Sequence, residues 1–350
     1  MIKFVMRKIF TAFLLSVFIS ICPAFAADIS PLILTVKSYP LTKEEKSYLQ
    51  KVNPYGFIFV EKDFRKKTNF TALKAELTKM LGHKIYFFVD QEGGPVNRLK
   101  YLFPNKKFPS AEYFGNIAET NGTQMAEELV SKKAKEIAQL LSLISMDVNL
   151  APNAEIRPPD YSGFFKKRLY SENAKVVAAL SEAFAKGTRE GGLEPCFKHF
   201  PGTALSEEDP HKAISVIDSV NLKSLTNKEF LPFMTAKNYK YVMMGHALYP
   251  QVDAVNISTF SPKFYRILRN KLKFKGFIIT DALNMEASGP DSIGDKIKMS
   301  LTAGADLAMP FFDDNMSFED RLKEIAKIPP EIVTKFNIKL AQSEDYENEH

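Results

Sequence analysis

The chain has 350 residues, of which 45% are hydrophobic and 25% charged, and its formal net charge is +6. These values are those of a soluble globular protein, long enough for one large α/β domain or two ordinary ones. The basic residues form no arginine stripe and no aromatic-interleaved repeat, so nucleic acid is excluded as an expected partner.

Residues 1–26 have the pattern of a secretory signal peptide. Three basic residues precede an uncharged apolar run from Ile9 to Ile21, and Ala24-Phe25-Ala26 provides small residues at a cleavage site. The run is short for a membrane span. We therefore expect an exported protein, periplasmic or secreted, with no stable membrane span after cleavage. An uncleaved anchor is the alternative.

Cleavage after Ala26 would remove three basic residues and no acidic ones, which lowers the net charge from +6 to +3. Cys196 would then be the single cysteine, so the domain would have no internal disulfide and would depend on its core. Residues 342–350 form an acidic tail that we expect to be disordered. Residues 27–341 are expected to fold as one domain and to be monomeric.

Short apolar runs recur along the chain and predict eight strands. The runs are continuous rather than alternating, which is typical of parallel strands buried on both faces. The predicted strands are Pro31–Val36, Tyr55–Val60, Lys84–Asp90, Met146–Pro152, Glu194–Gly202, Tyr241–His246, Gly276–Asp281 and Ala305–Pro310.

Amphipathic stretches separate most of these strands, and the clearest are Thr123–Leu143, Ala174–Glu190 and Pro262–Leu272. Ser171 and Ser261 are suitable helix N-caps, and Gly191 and Gly276 are suitable helix exits. Eight strands with helical crossovers predict a single-domain (β/α)8 barrel. A doubly wound open sheet is the second architecture, although the chain has no glycine fingerprint or phosphate loop for a nucleotide.

Polar residues follow five of the predicted strands at their C-terminal ends, where barrel active sites form. Any one of them would also fit a helix cap or a satisfied core polar group, and Asn149 fits the latter best. Together they predict a site, and the strand-end residues are Asp90, Asn149, Asn153, Lys198, His199, His246 and Asp281.

At these residues the chain resembles glycoside hydrolase family 3, in its single-domain β-N-acetylglucosaminidase branch. The first two motifs are Asp90-Gln91-Glu92-Gly93-Gly94-Pro95-Val96-Asn97-Arg98 and Lys198-His199-Phe200-Pro201-Gly202, the latter followed by Asp209-Pro210-His211. The segments around Gly276–Met285 and Ala303–Asp306 complete the set in family order.

The resemblance implies a retaining glycosidase. Asp281 would attack the anomeric carbon and form a covalent glycosyl-enzyme. The branch uses a histidine on a mobile loop as acid/base, which matches His211, and an imidazole titrates near neutrality as both steps require. Asp209 would orient that ring. Considered alone, Asp281 would also fit a helix N-cap.

The resemblance also implies the sugar-binding residues. By matched position these are Asp90, Arg98, Arg168, Lys198 and His199, with His246 expected behind them. The match at Arg168 is looser, and a surface charge is its alternative. No cofactor and no metal is implied, because the histidines lie on different loops and no paired-cysteine or HExxH spacing is present.

Three positions depart from the family pattern. Thr203-Ala204 replaces the second half of the usual glycine-rich loop, Pro95 replaces an arginine, and Ala282 replaces an acidic or aromatic residue. None of these changes deletes a proposed catalytic group.

The sequence therefore favours an exported β-N-acetylglucosaminidase acting on cell-wall fragments or chitooligosaccharides. A phosphorylase is a close alternative, because a histidine acid/base tolerates an incoming phosphate better than a carboxylate does. A non-catalytic glycan- or muropeptide-binding protein is the alternative from another class.

Overall fold

The computed structural model describes residues 28–163, 165–206, 209 and 212–349. The predicted signal peptide, residues 1–26, lies outside this part of the chain. Within the described part, no helix is both long and apolar enough to cross a membrane.

Eight parallel strands close into a barrel, in which the last strand pairs with the first through Leu32 and Ala308. The closure confirms the predicted (β/α)8 barrel and rules out the open sheet. Around the barrel the strands are β1 (Ser30–Leu34), β2 (Pro54–Phe59), β3 (Tyr86–Val89), β4 (Val148–Asn149), β5 (Glu194–Phe200), β7 (Tyr241–Met244), β9 (Phe277–Ala282) and β10 (Leu307–Met309). Two short strands outside the barrel, β6 (Ser215–Val216) and β8 (Ala247–Leu248), pair in parallel.

All eight predicted strands are present, and β4 differs most from its prediction. It ends at Asn149, three residues before the predicted end at Pro152. The Ala151 N–H turns back to the carbonyl of Asn149, and Pro152 has no N–H to donate to a neighbouring strand. The regular strand therefore ends here, although the following residues still pair with β5, through the carbonyls of Ala151 and Pro152 and a bridge between Asn153 and Lys198.

The helices cover the outside of the barrel. They are α1 (Lys43–Val52), α2 (Glu61–Arg65), α3 (Phe70–Leu81), α4 (Ala111–Asn121), α5 (Thr123–Ser142), α6 (Ala174–Glu190), α7 (Leu222–Ser224), α8 (Leu231–Thr235), α9 (Pro262–Arg266), α10 (Ile293–Ala303), α11 (Phe318–Ile325) and α12 (Pro330–Glu349). The predicted helices correspond to α5, α6 and α9, and α9 continues as a π-helical turn over Ile267–Lys271. Helix α12 includes most of the segment predicted to be a disordered tail, because no proline or glycine follows Pro330 to interrupt it.

Two of the predicted helix ends are wrong. The N-cap of α6 is Asn173, whose side chain accepts the Lys175 N–H, while Ser171 accepts the N–H of Asn173 one step earlier. Gly276 ends no helix, and it precedes β9 where a Cβ would lie 2.3 Å from the carbonyl of Lys240. Gly191 does follow α6 as its C-cap.

The two mouths of the barrel differ because α12 closes one of them. Its Phe336 ring lies edge-on to Tyr55 with 5.6 Å between centroids, and 6.2 Å from Phe277. Tyr55 and Phe277 stand at the beginnings of their strands, so α12 covers the N-terminal mouth. The C-terminal mouth, where the polar residues gather, is the one available for a site.

Candidate active site

Asp90, Glu92, Lys198 and Arg168 form a buried charge cluster at the C-terminal mouth. The Lys198 ammonium lies 2.6 Å from Oδ1 of Asp90 and 2.7 Å from Oε1 of Glu92. Arg168 donates to Glu92 in a bidentate pair, through Nε at 2.9 Å and Nη2 at 2.7 Å. Two carboxylates thus balance two cations, and Arg168 is not a surface charge, since only 9% of it is exposed.

Pairing within the cluster favours the charged forms of Glu92, Lys198 and Arg168. Burial raises the pKa of Glu92, but Arg168 and Lys198 outweigh burial and hold that pKa well below its ordinary value. Burial likewise opposes charge on Lys198, and Asp90 and Glu92 nevertheless raise its pKa. Asp90 keeps a partly exposed side chain, 23% accessible, which can accept hydrogen bonds from a ligand.

Asp281 lies at the end of β9, beside His199. Its Oδ1 accepts the Ala282 N–H at 2.7 Å, and its Oδ2 is 3.8 Å from Nε2 of His199. Burial raises the pKa of Asp281, but His199 and His246 outweigh burial and hold it below its ordinary value. The carboxylate is therefore ionised, and with 20% of the side chain exposed it can meet a reacting atom.

His246 lies behind Asp281. Its Nε2 is 3.1 Å from the carbonyl of Ala282, and its Nδ1 is 2.6 Å from the hydroxyl of Thr259. Burial lowers the pKa of His246 below its ordinary value. The ring thus supports the backbone next to Asp281.

The Arg98 guanidinium lies near a carboxylate outside the charge cluster. Its Nη1 is 3.7 Å from Oε2 of Glu61, which follows β2. The Nε of Arg98 is buried and has no hydrogen-bond partner within the described residues. The structure therefore places Arg98 at the same mouth, on the side of β2 and β3.

Asp209 and His211 follow β5, and of the two only Asp209 is among the described residues. The Asp209 carbonyl accepts the N–H groups of Lys212 and Ala213, and its Oδ2 is 3.9 Å from the Lys212 ammonium. His211, the predicted acid/base, lies outside the described residues, so its distance from Asp281 stays a prediction.

Two carboxylates of the site had no predicted role. Glu92 belongs to the motif that begins at Asp90, and its buried salt bridges make it the centre of the charge cluster. Glu155 follows β4 and lies 2.5 Å from Nδ1 of His199. In the sequence, Glu155 was indicated only by its position shortly after the predicted end of a strand at Pro152. Asn149 is the satisfied core residue expected, exchanging two hydrogen bonds with the backbone of Gln91.

The three departures from the family pattern are compatible with this geometry. Among residues 202–204, only position 202 has a backbone conformation that favours glycine, and it is Gly202, with φ 128°. Neither Thr203 nor Ala204 has a positive φ. Pro95 is exposed in a tight turn in which Gly93 pairs with Val96.

No group of three or more His, Cys, Asp or Glu side chains suited to a metal ion is found in the described part of the chain. The charged residues of the site are instead paired with one another, as carboxylates with Lys198, Arg168 or His199.

Comparison with known proteins agrees with this arrangement. The family model described as the glycosyl hydrolase family 3 N-terminal domain matches residues 34–340. The beta-hexosaminidase of Neisseria meningitidis serogroup B is 29% identical over 304 residues, which cover 85% of this chain and 82% of the relative. The beta-hexosaminidase of Psychromonas ingrahamii is 30% identical over 301 residues, covering 84% and 86% of the two chains.

Solved structures give the same result. The crystal structure of native NagZ from Neisseria gonorrhoeae is 26% identical and has a TM-score of 0.76, over 89% of this chain and 90% of its own. Since the family model spans most of the chain, and since the segments that carry the family resemblance meet at one mouth of the barrel, this chain belongs to glycosyl hydrolase family 3.

Proposed function

We propose that the protein is an exported, retaining β-N-acetylglucosaminidase that removes terminal N-acetylglucosamine from cell-wall fragments or chitooligosaccharides. The observation that carries the proposal is the ionised Asp281 carboxylate at the C-terminal mouth, 3.8 Å from His199. A partly exposed anion beside a cluster of polar groups suits a nucleophile facing a sugar ring.

In the first step an Asp281 oxygen attacks the anomeric carbon while the bond from that carbon to the leaving oxygen breaks. His211 donates its proton to the leaving oxygen, so the released alcohol is neutral. In the second step water attacks the same carbon, the bond to Asp281 breaks, and His211 takes the water proton. The free sugar leaves, and both groups return to their initial states.

Asp209 would orient the His211 ring and favour its charged form before the first step. The charge cluster would hold the sugar, with Asp90 accepting hydroxyl hydrogens and Lys198 and Arg168 donating to hydroxyl oxygens. Placing the substrate contacts on buried, mutually paired side chains keeps them oriented before the sugar arrives.

Relatives support the choice of sugar. The curated relatives are named beta-hexosaminidases. NagZ from Neisseria gonorrhoeae, with 26% identity and a TM-score of 0.72 over 90% of this chain and 96% of its own, was crystallised with N-trifluoroacetyl-D-glucosamine. The N-terminal signal pattern supports export, which in turn supports glycans outside the cytoplasm as the substrate.

The proposal is tested by hydrolysis of 4-nitrophenyl N-acetyl-β-D-glucosaminide with the purified wild type, Asp281→Ala and His211→Ala, each with and without phosphate. We expect activity in the wild type, none in Asp281→Ala and strongly reduced activity in His211→Ala. Dependence on phosphate with sugar-1-phosphate as product would instead establish a phosphorylase. Calorimetric binding of N-acetylglucosamine by a folded wild type that releases no nitrophenol would establish a binding protein.

A further inference from the structure

Glu155 is a buried carboxylate that joins two parts of the site. It follows β4, and 3% of the residue is exposed. Its Oε1 is 2.5 Å from Nδ1 of His199. Its Oε2 accepts the N–H groups of Thr203 and Ala204, the latter at 2.7 Å, and the Thr203 hydroxyl at 3.0 Å.

The His199 ring lies between two carboxylates. Nδ1 faces Glu155, and on the opposite side Nε2 is 3.8 Å from Oδ2 of Asp281. A hydrogen on Nδ1 donated to Glu155 fixes which nitrogen is presented to Asp281, and the bond also fixes the ring plane. Glu155 therefore determines how the imidazole meets the proposed nucleophile.

The other oxygen of Glu155 holds the backbone just after β5. Two consecutive N–H groups and one hydroxyl donate to it, and charge-assisted hydrogen bonds of this kind are stronger than neutral ones. His199 and the partners in this segment outweigh the effect of burial and hold the pKa of Glu155 below its ordinary value. The carboxylate is thus charged and fully engaged at both oxygens.

Packing fixes the same segment from a second side. A Cβ on Gly245 would lie 2.6 Å from Cγ2 of Thr203 and 2.9 Å from Cβ of His199. The Tyr249 hydroxyl donates to the carbonyl of Gly202. Thr203 and His199 therefore both pack against the backbone of Gly245, where a larger residue would not fit.

We propose that Glu155 is a positioning residue for the reaction, which sets the His199 ring against Asp281 and ties it to the backbone at Thr203 and Ala204. The inference rests on the proposed function. It also assigns a role to Thr203, because the Thr203 hydroxyl donates a hydrogen bond to Glu155 that a glycine or alanine at this position could not make.

The test compares kcat and KM for 4-nitrophenyl N-acetyl-β-D-glucosaminide in the full-length protein. Thr203→Val removes the hydroxyl at nearly constant volume, and we expect kcat to fall by about threefold to tenfold with KM within about twofold. Thr203→Ser restores the hydroxyl and should recover most of the lost kcat. Thr188→Val is the matched control, because Thr188 is also fully buried and donates one hydrogen bond, to Phe184 within α6.

Glu155→Gln is the stronger variant, and it should lower kcat by about 100-fold or more, because a neutral amide cannot accept from all four donors. Glu155→Asp keeps the charge and should recover at least tenfold of that loss. Unfolding temperatures measured in parallel separate positioning from folding. If Glu155→Gln is too unstable to assay, the comparison of Thr203→Val with Thr203→Ser decides whether Glu155 has a positioning role.

Wild-type kcat in Thr203→Val and Glu155→Gln, with changes only in KM or unfolding temperature, would overturn the positioning role while leaving the glycosidase proposal intact. An inactive wild type would overturn both proposals. A loss of kcat in Thr203→Val that Thr188→Val shares would also show that the effect is not specific to Glu155.

Discussion

Both mouths of the barrel contain paired carboxylates, and these carboxylates have different partners at the two ends. At the N-terminal mouth Asp306 accepts the Ile278 N–H of the adjacent strand at 2.7 Å and pairs with Lys339 at 2.9 Å and with Arg269. Asp147 likewise accepts the Phe87 N–H of the adjacent strand and forms an ion pair with Lys74. These carboxylates connect strand to strand at the closed end.

At the C-terminal mouth the carboxylates connect side chains of β5 to the loops around it. Glu92 joins Arg168 to Lys198, and Glu155 joins His199 to the Thr203 segment. Asp281 makes a single hydrogen bond within the described residues, to its own neighbour's N–H, and keeps an oxygen towards His199. The comparison indicates that one mouth contributes stability and the other chemistry, as barrels commonly divide them.

The largest expected effect is at the open mouth. Asp281→Asn should lower kcat by about 1,000-fold or more, equivalent to about 4 kcal/mol of transition-state stabilisation, because an amide cannot form the glycosyl-enzyme. Its unfolding temperature should stay close to that of the wild type, because the carboxylate makes one hydrogen bond within the described residues and burial offsets part of the stabilisation from His199 and His246. Steady-state kinetics with thermal unfolding checks this. A large drop in unfolding temperature would contradict the division between the mouths.

The next effect is at the closed mouth. Phe336→Ala should lower the free energy of unfolding by about 3 kcal/mol, because it leaves a cavity against Tyr55 and Phe277. Chemical denaturation measures the loss. The kcat of the folded fraction should stay within about twofold of the wild type. A much lower kcat would show that the packing of α12 also affects the geometry of the active site.

A smaller loss of stability is expected for Asp306→Asn, about 2 kcal/mol, because Arg269 and Lys339 lose a shared counter-ion that is only partly exposed. Asp281→Asn is the matched comparison, with the same chemical change at the opposite mouth. Urea denaturation of the two variants side by side should show the loss in Asp306→Asn alone. Equal losses would remove the distinction between the carboxylates.

The smallest effect concerns Glu229, a buried carboxyl near Glu155 and Tyr249. Burial raises the pKa of Glu229 to about 7, and Lys228 offsets this only in part. Since this folded pKa lies above the ordinary value, the folded protein holds the proton more tightly, and the group lowers stability as pH rises from about 4.5 through 7. Glu229→Gln should therefore stabilise the protein at pH 8 by about 1 to 2 kcal/mol.

The same Glu229→Gln variant should match the wild type at about pH 3.5, below the ordinary pKa of a glutamate, where both the folded and the unfolded wild type carry the proton. Thermal unfolding at the two pH values measures the difference. A stabilisation that is equal at both pH values would show that the effect does not come from the charge of Glu229.

The barrel and the position of its site could be predicted from the sequence alone. Continuous apolar runs separated by amphipathic stretches require strands buried on both faces, and only a small set of architectures satisfies that. Polar residues at the ends of those runs, such as Asp90, Lys198 and Asp281, then fall at one mouth whatever the details of packing. Local periodicity therefore determined the fold and the candidate residues.

The partners of those residues were decided by the tertiary structure. Glu92 and Arg168 are 76 positions apart, and Glu155 and His199 are 44 positions apart, so no local pattern relates them. For Arg168 the sequence favoured a sugar contact and left a surface charge as the alternative, and the closed barrel placed its side chain against Glu92. Closure of the sheet sets such distances, because it places the ends of all eight strands around one axis. The sequence determined which residues meet at the mouth, and the closed barrel determined which of them pair.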